Sequence, residues 1–346
     1  MNHIQPNEDY VLNLLKELLD TPSPSGFTRH VMSLIEREAE ALGIPCSFNE
    51  KGGAILTLAG KDASRRIALS AHVDTLGAMV RAIRPNGTLA LTSVGGFMMN
   101  AIENEYCQIH TRSGKVYTGT ILSIHPSVHV YSDARDFKRE EKNMEVRIDE
   151  LVENKEDVLK LGISVGDFIS FDARPVITPS GYIKSRHLDD KASVAALFGV
   201  LEASRREGWT PKHDLVFLIS NYEEVGHGTA WIPEGIQEMI AVDMGALGDD
   251  LSCKETEVSI CAKDSSGPYD YEMTGRLIEL AKSLDIPHAV DIYPYYGSDA
   301  SAALQGGNNI RAALIGPGVH ASHAMERTHK LAVLNTTRLL AAYVAE

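Results

Sequence analysis

Apolar residues recur at helical spacing near the start of the chain, where Tyr10, Leu12, Leu15, Leu18 and Leu19 predict an amphipathic helix over residues 9 to 19. The run Thr21-Pro22-Ser23-Pro24-Ser25-Gly26 breaks it. A second helix is predicted over 27 to 42, closed by Gly43, a residue suited to the left-handed turn after a helix. Strands follow at 44 to 49 and 54 to 59, and Ile67-Ala68-Leu69-Ser70-Ala71 reads as a buried strand. From about 77 to 177 the texture changes to short strands, at 78 to 83, 88 to 92, 106 to 111, 116 to 123 and 167 to 172. Within it the charged stretch Asp133 to Glu145 reads as a solvated loop. After Ser180-Gly181-Tyr182 helices and strands alternate again, with a helix from Leu188 to about 207 and strands at 214 to 220, 238 to 242 and 310 to 315. A helix over 270 to 284, a short one after Ala300 and a terminal helix complete the series. The predicted fold is α/β: a mixed sheet flanked by helices in segments 1–76 and 178–346, with a small β-barrel-like domain inserted at 77–177.

Composition narrows the class. The 346 residues suit about two domains on a prior of ~150 each, and 44% hydrophobic with 23% charged residues is the balance of a globular chain. No apolar run approaches the ~20 residues that span a bilayer. The polar, acidic opening Met1 to Asp9 lacks the basic start and apolar core of a secretion signal, so the expected location is cytoplasmic, with no membrane partner. Cys46, Cys107, Cys253 and Cys261 are scattered and expected as free thiols. A net charge of −14 argues against a nucleic-acid partner, which needs clustered Lys and Arg.

The chemistry concentrates at predicted strand ends. Asn221-Tyr222-Glu223-Glu224-Val225-Gly226-His227-Gly228 follows the strand at 214 to 220. Adjacent side chains of a strand point to opposite faces, so Glu223 and Glu224 share one site only if the chain turns, and Gly226 and Gly228 supply the turn. Paired carboxylates repel unless a cation lies between them. Other strands end in His72 and Asp74, in Asp243, and in His320 and His323, and open α/β sheets build their sites outside such carboxyl ends. Asp189 lies just before a helix at the same edge. Each residue alone has a plainer reading: Asp189 as an N-cap, His72 as a core histidine, Glu224 as an ion-pair partner, Asp243 as a turn former. Taken together, histidines and carboxylates without a cysteine ligand suit zinc, cobalt or manganese.

Ala71-His72-Val73-Asp74, Leu188-Asp189-Asp190-Lys191, Glu223-Glu224-Val225-Gly226, Val242-Asp243-Met244-Gly245 and Ser322-His323 stand in the order and approximate spacing of the co-catalytic dinuclear metallopeptidases. With a β insert directly after the first motif, the chain resembles the tetrahedral, deblocking or glutamyl aminopeptidases over nearly its whole length. The resemblance implies a zinc-peptidase-like catalytic domain in which Asp189 bridges two divalent metal ions, with His72 and Asp243 completing one site and Glu224 and His323 the other. It implies Glu223 as general base, Asp74 orienting His72, and a cis peptide between Asp189 and Asp190. It further implies a homo-oligomer, commonly a dodecamer, in which the insert serves assembly and covers the pocket. The chain departs from the family at Tyr296-Gly297-Ser298-Asp299, which stands in place of Gly-Gly-Thr-Asp, and at Val319-His320-Ala321-Ser322-His323. Ser298, Asp299 and His320 are accordingly candidate substrate contacts.

The expected reaction is removal of the N-terminal residue of short peptides by a hydroxide bridging the two metals, with Glu223 moving the proton. The nearest alternative is a deacylase or specialised dipeptide hydrolase acting on N-acylated or modified small peptides, including osmolyte-related ones. A non-catalytic assembly scaffold predicts loss of ligands or base, and all are present.

Overall fold

The computed structural model describes residues 4–345. A ten-stranded mixed sheet forms its centre. Strand Asp62–His72 lies between His213–Ser220 and Glu238–Val242 and runs parallel to both, and Glu238–Val242 runs parallel to Arg311–Val319 on its other side. These strands are near-continuous apolar runs because helices cover both faces of the sheet. Ala54–Leu58 pairs antiparallel with His213–Ser220, and Val258–Asp264 antiparallel with Arg311–Val319, which makes the sheet mixed.

Helices Glu8–Asp20, Arg29–Ala41, Leu188–Glu207, Tyr271–Ser283 and Lys330–Ala345 pack on one face of the sheet, and helix Asp299–Gln305 lies on the other. Helix Leu188–Glu207 is buried on every side from Leu188 to Ser204. Such a helix shows no amphipathic stripe, because it has no solvent face. It brings the polar Asp189, Asp190 and Lys191 into the interior. The Lys191 ammonium is satisfied there by the carbonyls of Leu18 and Thr21, both at 2.8 Å, at the end of helix Glu8–Asp20.

Between the first central strand and the return of the chain, six strands from Gly77–Ile83 to Phe168–Phe171 close into a barrel with its own apolar core. Its interior is filled by residues such as Val80, Leu91, Ile109, Ile121, Val146 and Ile169. A separate three-stranded sheet joins Val176–Ile177, Tyr182–Ser185 and Glu326–His329.

One local expectation changes. The stretch Asp133 to Glu145 is not simply solvated loop: Met144–Ile148 is a barrel strand, Glu141 accepts from the Ser93 amide at 3.1 Å, and Arg139 pairs with Glu103 at 2.8 Å. Charge density masked these anchors. The helix Lys155–Leu161 also lies in the insert, capped by Asn154, and is too short to show a helical period.

Candidate metal centre

Parallel register decides which residues meet. Ser220 pairs with His72 and Val242 with Ile315, so the segments that follow these strands emerge side by side at one edge. His72 lies at its strand end, Asp243 one residue beyond Val242, and the Glu pair three residues beyond Ser220. The start of helix Leu188–Glu207 reaches the same edge, and its Asp189–Asp190 peptide is cis. Strand Arg311–Val319 leads to His323, whose backbone is left-handed with φ 64°.

The Asp189 carboxylate sits at the middle. Its Oδ1 is 3.2 Å from His72 Nε2, and its Oδ2 is 3.3 Å from His323 Nε2. Glu223 Oε2 lies 3.7 Å from His72 Nε2, and Glu224 Oε2 lies 3.6 Å from His323 Nε2. The two glutamates thus face different histidines. Among the described residues, His72, Asp189 and Glu224 form one group whose ligand atoms lie within 4.8 Å of one another, and His72, Asp190 and Asp243 form another.

Asp74 has a larger part than the sequence suggests. Its Oδ1 accepts from the Glu223 amide at 3.1 Å and its Oδ2 from the Glu224 amide at 3.2 Å, with Ser25 Oγ donating to Oδ2 at 2.5 Å. The His72 ring contacts Asp74 mainly through the main-chain carbonyl, at 2.9 Å from Nδ1, with the carboxylate at 3.5 Å. One aspartate therefore orients the first histidine and both glutamates.

Two of the three candidate substrate contacts lie elsewhere. Asp299 is buried, accepting from Ser220 Oγ at 2.7 Å and from the Thr229 amide at 3.1 Å, which ties down the loop after the Glu pair rather than facing the cavity. Lys51 Nζ holds the same loop at the Gly228 carbonyl, at 2.7 Å. His320 is exposed and exchanges main-chain hydrogen bonds with Arg327, outside the cavity. Ser298 does line the cavity.

The structure adds residues that the sequence did not single out. Glu326 is buried, and its two oxygens accept from the amides of Asp189 at 3.0 Å and His323 at 3.1 Å. Only an acid three residues after His323 hints at this. Gly96, in the loop after barrel strand Leu89–Val94, presents its carbonyl to His323 Nδ1 at 2.5 Å. Asp190 accepts from the His72 amide at 3.2 Å with Oδ2, while its buried Oδ1 has no hydrogen-bond partner among the described residues.

Among the described residues no lysine or arginine lines the site, and its carboxylates outnumber its histidines. Burial pushes Asp190, Glu223 and Glu224 well above the usual carboxylate range, and burial together with the Asp189 charge pushes Asp243 up to about 7. For the histidines burial works against the charged ring, but the hydrogen bonds and charges of the surrounding acids, Asp189 first among them, together outweigh it, holding His72 well above its ordinary value and lifting His323 to about 10. Asp189 is pulled down by both histidines against its own burial. Five buried or half-buried carboxylates around two imidazoles, with one carboxylate oxygen orphaned, are hard donors of the kind a divalent cation takes. The residues fit metal.

The M42 glutamyl aminopeptidase profile matches residues 52–339. The chain belongs to that family. It is 52% identical over 334 residues to YhfE of Bacillus subtilis (strain 168), a protein provisionally named an aminopeptidase, covering 96% of each chain. In fold it is similar to an aminopeptidase of the archaeon Desulfurococcus kamchatkensis, with a TM-score of 0.88 at 22% identity over 98% of this chain and 95% of that one. It is likewise similar to the TET1 peptidase of Pyrococcus horikoshii, with a TM-score of 0.86 at 22% identity, covering 97% and 99%. This M42 protein is thus a hydrolase of the metallopeptidase class, with an aminopeptidase's fold.

Proposed function

We propose that the chain removes the first residue from short peptides with a free N-terminus, using two divalent cations. The observation that carries this reading is the Asp189 carboxylate, whose oxygens face His72 and His323 separately. A carboxylate shared in this way suits His72, Asp189 and Asp243 around one cation and Asp189, Glu224 and His323 around the other. Imidazole and carboxylate donors without thiolate suit zinc, with cobalt or manganese as substitutes.

Bound there, the cation pair lends Lewis acidity to the substrate carbonyl and acidifies water. Glu223 is the base: its carboxylate takes the proton of the attacking water and passes it to the leaving amine nitrogen. Asp74 keeps that carboxylate in place through the Glu223 amide. The carboxylates of the metal centre, not the rest of the cavity wall, face the substrate's α-amino group, which a blocked peptide lacks.

We assign segments 1–76 and 178–346 to catalysis, and assign 77–177 to pocket covering and homo-oligomer assembly. The Gly96 contact with His323 supports the first role of the insert. For the second, the fold is similar to that of a TET1 peptidase solved as a dodecamer. Four unpaired cysteines accord with a reducing cytoplasm.

The test uses protein stripped of metal and resupplied with zinc, cobalt or manganese, assayed on unblocked and N-acetylated dipeptides. Metal-restored cleavage of the unblocked peptides alone is expected. Cleavage of the acetylated peptides alone would move the site to a deacylase or specialised dipeptide hydrolase.

A further inference from the structure

The cavity in front of the metal centre measures about 740 Å³, more than one amino-acid residue fills, so size selects weakly. Charge selects more strongly. Among the described residues no lysine or arginine lines it, and every carboxylate that does belongs to Asp189, Glu223, Glu224 or Asp243. The rest of the wall includes Ser265, Tyr296, Ser298, Ser301 and Gln305.

Four hydroxyls of that wall are already engaged with neighbouring groups. Ser265 Oγ donates to the Tyr296 carbonyl, Ser301 Oγ to the Ser298 carbonyl at 2.8 Å, and Tyr296 Oη to the Met244 carbonyl at 3.1 Å. Ser298 Oγ shares a hydrogen bond with the Tyr269 hydroxyl at 2.9 Å. Beyond the cations proposed at the metal centre, an acidic side chain would find no counter-ion in this wall. A lysine ammonium would find no carboxylate outside the metal centre. Desolvating an unpartnered charge costs far more than placing a neutral group of the same shape.

We infer that the site selects an uncharged first residue, apolar or amide-bearing, and rejects glutamate even though its family carries the name glutamyl aminopeptidase. This rests on the aminopeptidase reading above. Gln305, exposed at the end of helix Asp299–Gln305, is the wall position where a cation would create an acid-binding site.

The experiment compares aminoacyl 4-nitroanilides in pairs matched for shape, glutamine with glutamate and norleucine with lysine, on the zinc-loaded protein. The neutral member of each pair is expected to have the higher kcat/KM by about tenfold or more. Calorimetric binding of free glutamine and glutamate should follow the same order, and Gln305→Arg should narrow the glutamine-to-glutamate ratio. Equal or faster cleavage of glutamate or lysine would overturn the inference while leaving the aminopeptidase reading intact. An unchanged ratio in Gln305→Arg would overturn the assignment of that position. If none of the four is cleaved but acetylated dipeptides are, the aminopeptidase reading fails and takes this inference with it.

Discussion

Glu223 and Glu224 are neighbours anchored by the same Asp74 carboxylate, yet they face different histidines. That separation suits the proposed division of roles, one glutamate as ligand and the other as base. Glu223→Gln keeps the shape and removes the proton acceptor, so kcat should fall by roughly 10²- to 10⁴-fold while elemental analysis still finds the full complement of metal. Retained turnover would end its assignment as base. Glu326 makes a complementary case, because it touches the proposed ligands Asp189 and His323 only through their backbones. In Glu326→Gln the side-chain amide offers one acceptor oxygen where two N–H groups need one each. Metal affinity, read by competition with a chelator, should weaken by about 10- to 100-fold in a chain whose far-ultraviolet circular dichroism is unchanged. Wild-type affinity would reduce Glu326 to a packing residue.

At the level of elements, the site depends on how closely strand ends approach. Strand Arg311–Val319 passes the segment holding Asp243 at Gly316, where an added Cβ would stand 1.7 Å from the Asp243 carbonyl oxygen. The contact is with backbone, so no side chain can swing aside. Gly316→Ala should therefore push Asp243 outward, lowering thermal stability by about 1–3 kcal/mol, the usual cost of overpacking, and reducing metal content together with activity. A variant with native melting and native metal content would show that the two strands yield more freely than their packing implies. The buried helix Leu188–Glu207 illustrates the same dependence from the other side, since its Lys191 is anchored to the end of helix Glu8–Asp20.

Across the whole molecule, barrel and α/β layers meet at specific contacts. Gly96 reaches His323, and on another face the barrel's His110 lies against Phe27, with ring centroids 4.6 Å apart. His110 Nε2 is hydrogen-bonded to Ser170 Oγ at 2.7 Å, and burial, with a smaller contribution from His30, pushes its pKa down to about 4. The unfolded chain takes up this proton near pH 6.5, before the folded one does. Stability from this group is thus complete above pH 6.5 and lost as pH falls toward 4. Denaturant titrations at pH 7, 5.5 and 4.5 should show that decline, and His110→Gln should flatten it by about 1–2 kcal/mol. An equally steep decline in the variant would place the acid sensitivity elsewhere.

The residues that face one another at the metal centre were legible because strands deliver function at their carboxyl ends, where an apolar run gives way abruptly to His, Asp or Glu. That transition is local and needs no partner to be seen, as at Ala71-His72 and Val242-Asp243. The same holds for the insert, whose period-two runs and glycine turns differ from the alternating helices and strands around it. Only tertiary structure could show which acids face the cavity. Asp299 and Glu326 are equally plausible in sequence, yet one is spent on Ser220 and Thr229, whereas the other joins the amides of Asp189 and His323. The uncharged cavity wall was likewise invisible, because it combines the segment after Val258–Asp264, helix Asp299–Gln305 and a loop of the barrel. Periodicity reports what a residue does relative to its own element; the direction of a carboxylate or hydroxyl depends on donors brought from elsewhere in the chain.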